Sequence, residues 1–130
     1  MLKATIRHEA DQEWERWDDA ELRAKSDVRW KLLISGERTP TADLAMGIAE
    51  IAPGATLIGH RHAHAETYYI ISGTGRITLD GVVSEIAPGA AIYIPADAHH
   101  ATICTSDTPL TFIYTFPCDR FEEVVYRFED

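Results

Sequence analysis

Three histidines at alternate positions, followed by a glutamate and a tyrosine at the same spacing, mark the run GHRHAHAETYY (59–69): His60, His62, His64, Glu66 and Tyr68. Imidazole nitrogens and carboxylate oxygens are ligands for divalent transition metals, and the chain holds only six histidines in all. Alternate residues of a β-strand share a face, so an unbroken strand would point all five side chains the same way. It would also set His60 and Glu66 about 20 Å apart at about 3.3 Å per residue, whereas donors bonded at about 2 Å to one ion converge. If His60, His62 and Glu66 share an ion, the chain must therefore reverse within residues 63–65. His64 would then fall on the turn, where its phase no longer aims it at the ion. A helix would put His62 and Glu66 on one face, but residues two apart on a helix diverge by about 200°, which loses His60. The β-branched and aromatic TYYIIS that follows also favours a strand.

A second pair, His99 and His100, follows AIYIPADA. Adjacent strand residues face opposite ways, so one of the two joins the site, and spacing alone leaves open which. Neutral imidazoles with a carboxylate and no thiolate suit a divalent first-row metal such as Fe, Mn, Ni, Co or Zn. Four protein ligands leave positions on an octahedral ion for water or substrate. Tyr68 lies two residues beyond Glu66 and shares its face, while Tyr69 points away. A free phenol titrates near 10, and a nearby divalent cation favours phenolate, which makes Tyr68 a candidate general base. The alternative is a tyrosine packed in the interior with its hydroxyl satisfied. His8, His64 and His99 read as ordinary polar residues.

The elements that must position these groups are short and β-prone. From Val28 onward, VRWKLLI, LAMGIAEI, ETYYIIS, RITL, VVSEI, AIYI, HATIC, LTFIYTF and EVVYRF read as strands bounded by turn residues. SGTG (72–75) and Asp80-Gly81 are expected to supply hairpin turns. EIAPGA occurs at 50–55 and again at 85–90, each time ending a strand at Pro-Gly, which suggests two related halves. Such a chain predicts an all-β barrel or double-sheet jelly roll with the site inside. Residues 9–25, charge-rich with Trp14, Trp17 and Leu22 in roughly helical spacing, predict one short helix against the barrel. The organisation expected is an N-terminal segment, 1–27, packed on a barrel domain, 28–130.

Composition narrows the functional classes. At 130 residues, 45% hydrophobic and 25% charged, one globular domain is expected. No apolar run approaches a membrane span, and the first residues lack a signal-peptide core, so a cytoplasmic protein without membrane attachment is expected. A net charge of −9 without a basic cluster argues against nucleic acid as a partner. Cys104 and Cys118 fit free, buried thiols in that compartment.

The histidine run resembles the cupin superfamily. Gly54, His60, His62, Glu66 and Gly73 match its first motif throughout. Gly89, Pro95 and His100 match the second, whereas Asp97 stands in place of a glycine and Cys104 in place of an asparagine. The resemblance selects His100 over His99 and implies a single-domain double-stranded β-helix binding metal through His60, His62, Glu66 and His100. VRWKLLI, GIAEIAPGA, HRHAHAETYYI, GTGRI and FPCDRFEEVVYRF are further similar to the small cupins that act as dimethylsulfoniopropionate lyases. That similarity implies a carbon–sulfur lyase with Tyr68 as the catalytic base and Tyr126 as a second pocket tyrosine. The substrate would be a small carboxylate bearing a sulfonium, cleaved by β-elimination to dimethyl sulfide and acrylate. Aromatic faces of Tyr126, Tyr114 and Trp30 are candidates to hold the sulfonium. It also implies a homodimer, to which the Trp-bearing N-terminal segment could contribute. Two other classes share the motifs: an Fe(II) dioxygenase or isomerase acting on a small carboxylate, and a non-catalytic small-molecule binder.

Overall fold

A computed structural model describes residues 1–129. Ten strands follow the N-terminal segment: β1 Val28–Ile34, β2 Ala45–Ile51, β3 Thr56–Arg61, β4 Glu66–Ser72, β5 Gly75–Leu79, β6 Val82–Ile86, β7 Ala91–Ile94, β8 His100–Cys104, β9 Leu110–Phe116 and β10 Arg127–Phe128. They form two five-stranded antiparallel sheets, ordered β1-β2-β9-β4-β7 and β10-β3-β8-β5-β6. This is the all-β jelly roll expected, and among the described residues no helix is long and apolar enough to cross a membrane.

Strand phase decides what enters the interior. Along β4, Glu66, Tyr68 and Ile70 are buried while Thr67, Tyr69 and Ile71 are exposed. The same period-two alternation runs through β8, where His100, Thr102 and Cys104 are buried. Both strands therefore start with a metal-ligating type and pass into apolar packing. Ile51, Ile70, Ile77, Ile94, Leu110, Phe112 and Phe116 make up the fully buried apolar core.

The EIAPGA repeat does the same work twice. Gly54 and Gly89 take φ of 75° and 92°, and in each copy the final alanine N–H donates to the carbonyl three residues back. Each turn carries the chain from one sheet to the other, β2 to β3 and β6 to β7. Asp80 and Gly81, at φ 45° and 85°, close the two-residue β5–β6 hairpin as expected.

Four expectations need correction. SGTG joins β4 to β5, which lie in different sheets, so it is a crossing turn and not a hairpin. The helix expected over 9–25 is only six residues long, Ala20–Lys25, capped by the Asp19 carboxylate, which accepts from the Glu21 and Leu22 N–H groups. Ahead of it lie a single 3-10 turn, Glu9–Asp11, and an extended Glu15 that exchanges both backbone hydrogen bonds with Trp30 of β1. The unpaired edge of β1 wins that segment over helical spacing. EVVYRF pairs only through Arg127 and Phe128, and its first residue belongs to the 3-10 turn Phe121–Glu123. Finally, Thr56–Arg61, not among the β-prone runs, is a full strand despite Gly59.

Gly47 of β2 lies opposite Tyr114 of β9. A Cβ there would come within 2.2 Å of the Tyr114 hydroxyl and 2.6 Å of the Lys31 carbonyl oxygen. Gly47→Ala is therefore expected to cost about 1 to 3 kcal/mol through overpacking, read as a lower urea midpoint at unchanged slope. A midpoint at or above that of the unaltered protein would refute this account of the site's back wall.

Candidate metal centre

The reversal required between His60 and Glu66 is present: β3 ends at Arg61, β4 begins at Glu66, and a bend joins them. His62 Nδ1 lies 2.8 Å from the His64 carbonyl oxygen and closes that bend. His64 thus contributes its backbone, and its ring is not in the donor group. His100 is delivered by β8, whose register pairs it directly with His60 of β3.

The three imidazoles of His60, His62 and His100 converge, each with a potential ligand atom within 4.8 Å of the others. Each Nδ1 sits against a backbone carbonyl oxygen: Ile58 at 2.8 Å, His64 at 2.8 Å and Ala98 at 2.9 Å. A carbonyl can only accept, so each Nδ1 carries the hydrogen and each Nε2 presents a bare lone pair inward. Nε2 of His60 and of His100 is buried without any protein partner. Glu66 stands beside two of them, with Oε1 3.0 Å from His62 Nε2 and 3.5 Å from His100 Nε2, but it is not in the group of three whose donor atoms converge. Exposure of these residues is 0% for His60 and His100, 1% for His62 and 3% for Glu66, so water does not pay the electrostatic cost.

Acceptors facing one another in a dry site need a proton or a cation between them. The titration of the imidazoles reflects this. Burial, then the charge of His100, push His60 down to about 3. Burial also opposes charge on His62, but the hydrogen bond and charge of Glu66 outweigh it and raise His62 above the ordinary histidine value. The donor set, three neutral imidazoles and one carboxylate, fits a divalent first-row ion.

Beside the donors lies a cavity of about 30 Å³ bounded by Glu66, Tyr68, Tyr126, Trp17, Trp30 and Phe121, among others. Tyr68 is buried, its ring 6.3 Å from that of His100 and 4.3 Å from Phe112. Burial, then Glu66, hold the Tyr68 and Tyr126 phenols well above their ordinary value. Tyr126 arrives from the C-terminal segment and stacks on His60 at 5.0 Å. Tyr114 also lines the cavity, its hydroxyl buried without a partner. His99 faces the other way, against Gly59, and its N–H donates to Asp80. Both cysteines are buried free thiols. Cys104 Sγ lies 3.3 Å from the Thr108 carbonyl oxygen, closing its own loop and not the cavity.

Sequence reasoning passed over Trp17, Phe121 and Phe128. Its spacing places Trp17 on a helix, yet in the fold it packs on Trp30 at 4.8 Å and Phe128 at 5.3 Å and forms part of the cavity wall. The available signal was composition, since a tryptophan has little reason to sit in a solvated, charge-rich segment.

A double-sheet β barrel with inward histidines and a carboxylate defines a class of metal-binding jelly rolls. The chain belongs to the cupin family: the cupin domain matches residues 47–116. Over 102 residues it is 44% identical to dimethylsulfoniopropionate lyase DddW of Ruegeria pomeroyi, covering 78% of this chain and 66% of that protein. The chain thus spans just under two thirds of that relative's length. Among solved structures, the polyketide cyclase RemF of Streptomyces resistomycificus aligns over 100% of this chain and 87% of its own, with TM-score 0.77 and 21% identity. A structure of DMSP lyases RdDddP and RnDddQII aligns over 92% of this chain and 63% of that one, with TM-score 0.74 and 20% identity. These two likenesses concern the fold.

Two outcomes follow from the donor arrangement. Adding a divalent metal to chelator-treated protein is expected to raise the thermal midpoint, by about 4 kcal/mol of stabilisation at a thousandfold excess over Kd. His62→Ala should abolish that rise, and an unchanged rise would remove His62 from the ligands. In the metal-free protein, His60 has its folded pKa lowered, so its contribution is present above about 6.5 and is lost as pH falls toward about 3. Urea midpoints between those values should drop with pH, by at most about 1.4 kcal/mol per unit from this group, and less steeply in His60→Gln.

Proposed function

We propose that the chain is a metal-dependent lyase that cleaves dimethylsulfoniopropionate to dimethyl sulfide and acrylate, with His60, His62, Glu66 and His100 as the metal ligands. The observation that carries this reading is a buried tyrosine, Tyr68, bounding the same cavity as Glu66 in a chain 44% identical to a dimethylsulfoniopropionate lyase. A divalent ion held there supplies Lewis acidity to the substrate carboxylate and favours the phenolate of Tyr68.

Tyr68 is then the base. Its phenolate oxygen takes the proton from the carbon next to the carboxylate, and that electron pair becomes the new carbon–carbon double bond. The bond from the β carbon to sulfur breaks, and the sulfur keeps its pair, so dimethyl sulfide leaves as a neutral molecule. No electron is exchanged with an outside agent and no oxygen is consumed. Tyr126, Trp30 and Tyr114 bound the same cavity, and their ring faces suit a sulfonium through cation–π attraction. The near-absence of exposed surface at the donors keeps bulk water from competing for the base. In the cell we read the protein as a cytoplasmic homodimer.

Headspace dimethyl sulfide is expected from purified protein given dimethylsulfoniopropionate, after separate loading with Fe(II), Mn(II), Ni(II) and Zn(II), without oxygen uptake and with none in chelated controls. Tyr68→Phe should lower turnover by at least about a hundredfold while metal content stays near that of the unaltered protein. Oxygen uptake without dimethyl sulfide would favour the dioxygenase class instead, and retained turnover in Tyr68→Phe would remove Tyr68 from the base role.

A further inference from the structure

The imidazole donors are covered: His60, His62 and His100 are all buried. A cavity of about 30 Å³ has room for a water molecule or two, while an occupant the size of benzene needs about 150 Å³. For an organic molecule to reach the donors, part of the wall must therefore move. The wall nearest the imidazoles is the C-terminal strap, residues 124–129. Tyr126 stacks on His60, and Phe128 packs on both His60 and Trp17, so the strap lies across the histidine rings.

The strap is lightly held. Its strand, β10, has two residues, paired at Arg127 with Arg61 and at Phe128 with His60 of the edge of β3. The Glu129 N–H donates to the Gly59 carbonyl at 2.8 Å, and its carboxylate meets Arg61 at 2.8 Å. The remaining polar tie is an ion pair from Arg127 to the Asp97 carboxylate.

Asp97 is a costly place for that tie. Its φ is 61°, in the left-handed region that residues other than glycine seldom adopt. In the cupin pattern matched by Gly89, Pro95 and His100, this is the position where glycine is expected. Its backbone is also fixed: the Asp97 N–H donates to the His62 carbonyl at 2.9 Å, and its carbonyl accepts from Arg61 at 3.0 Å. One residue thus joins the loop after β7, the backbone of a ligand histidine and the strap.

We propose that Asp97 is a positioning residue whose carboxylate latches the strap through Arg127, holding Tyr126 over His60 and setting how often the metal site opens. Glycine would preserve both backbone contacts at this φ and remove only the carboxylate, which makes Asp97→Gly a clean test of the latch. The inference rests on the metal reading of the site and not on the reaction carried out there.

The protein is loaded with Co(II) and mixed with excess chelator, and metal loss is followed by absorbance. Asp97→Gly and Arg127→Ala should each lose metal two- to fivefold faster, the range that one exposed ion pair can supply, with equilibrium metal content unchanged. Asp97→Asn, which tolerates the same backbone and keeps an acceptor oxygen, should fall between. The double variant Asp97→Gly with Arg127→Ala should be no faster than either alone, and high salt should speed the unaltered protein more than either single variant, in which the Arg61–Glu129 pair is still there to be screened. Unchanged rates, or single effects that add, would overturn the latch. If the protein takes up no Co(II), the metal reading fails, and hydrogen exchange of residues 124–129 decides the latch separately. Faster exchange in both single variants supports it, and equal exchange overturns it.

Discussion

Three imidazole nitrogens and a carboxylate oxygen, all acceptors, face one another where water does not reach, and the rest of the interior is arranged around that opposition. Each ring is held by a carbonyl bond at Nδ1, so none can rotate to relieve the conflict without orphaning a buried donor. Leaving a carboxylate uncompensated in such surroundings costs several kcal/mol. The raised affinity of His62 for a proton and the lowered one of His60 are two faces of the same constraint: a site that admits one positive charge and resists a second. A divalent ion among the three imidazole nitrogens would satisfy it better than a proton does, because one ion can bond to several acceptors.

That constraint explains the local backbone. The bend between β3 and β4 turns the chain back so that Glu66 stands beside His62, and it is closed by the His62 ring against the His64 carbonyl. The β3–β8 register then sets His60 opposite His100, so the second half of the chain contributes its histidine through strand pairing and not through a loop. His60, Glu66 and His100 stand on strands, which hold geometry more tightly than loops, while His62 stands on the bend.

The segments on either side of the matched domain finish the site. Trp17 is fixed by its indole N–H donating to the Ser26 carbonyl at 3.0 Å, and it meets Trp30, Tyr126 and Phe128. The N-terminal segment therefore serves as a wall, and the C-terminal strap as a cover. Neither lies within residues 47–116, where the cupin domain matches, so the family's shared core supplies the donors and the flanking segments shape the space beside them.

The sequence by itself determined what is periodic or local. Strand alternation announced β4 and which of its side chains turn inward, and β8 as a strand, and the distance argument required a reversal at 63–65 if His60, His62 and Glu66 share an ion. The donor types and the positive-φ turns at Asp80-Gly81 and the two Pro-Gly sites were legible for the same reason: each depends on neighbours a few residues away. Between His99 and His100, spacing was silent and only family resemblance chose. Tertiary structure alone decided where the crossings fall, so that the SGTG turn changes sheets, and that a free strand edge captures Glu15 from a helix-like segment. It alone brought Tyr126 onto His60 and Arg127 to Asp97, contacts that depend on how two sheets close and where the chain ends return. Such contacts join residues 30 or more apart along the chain, and no local pattern records the energy that selects them.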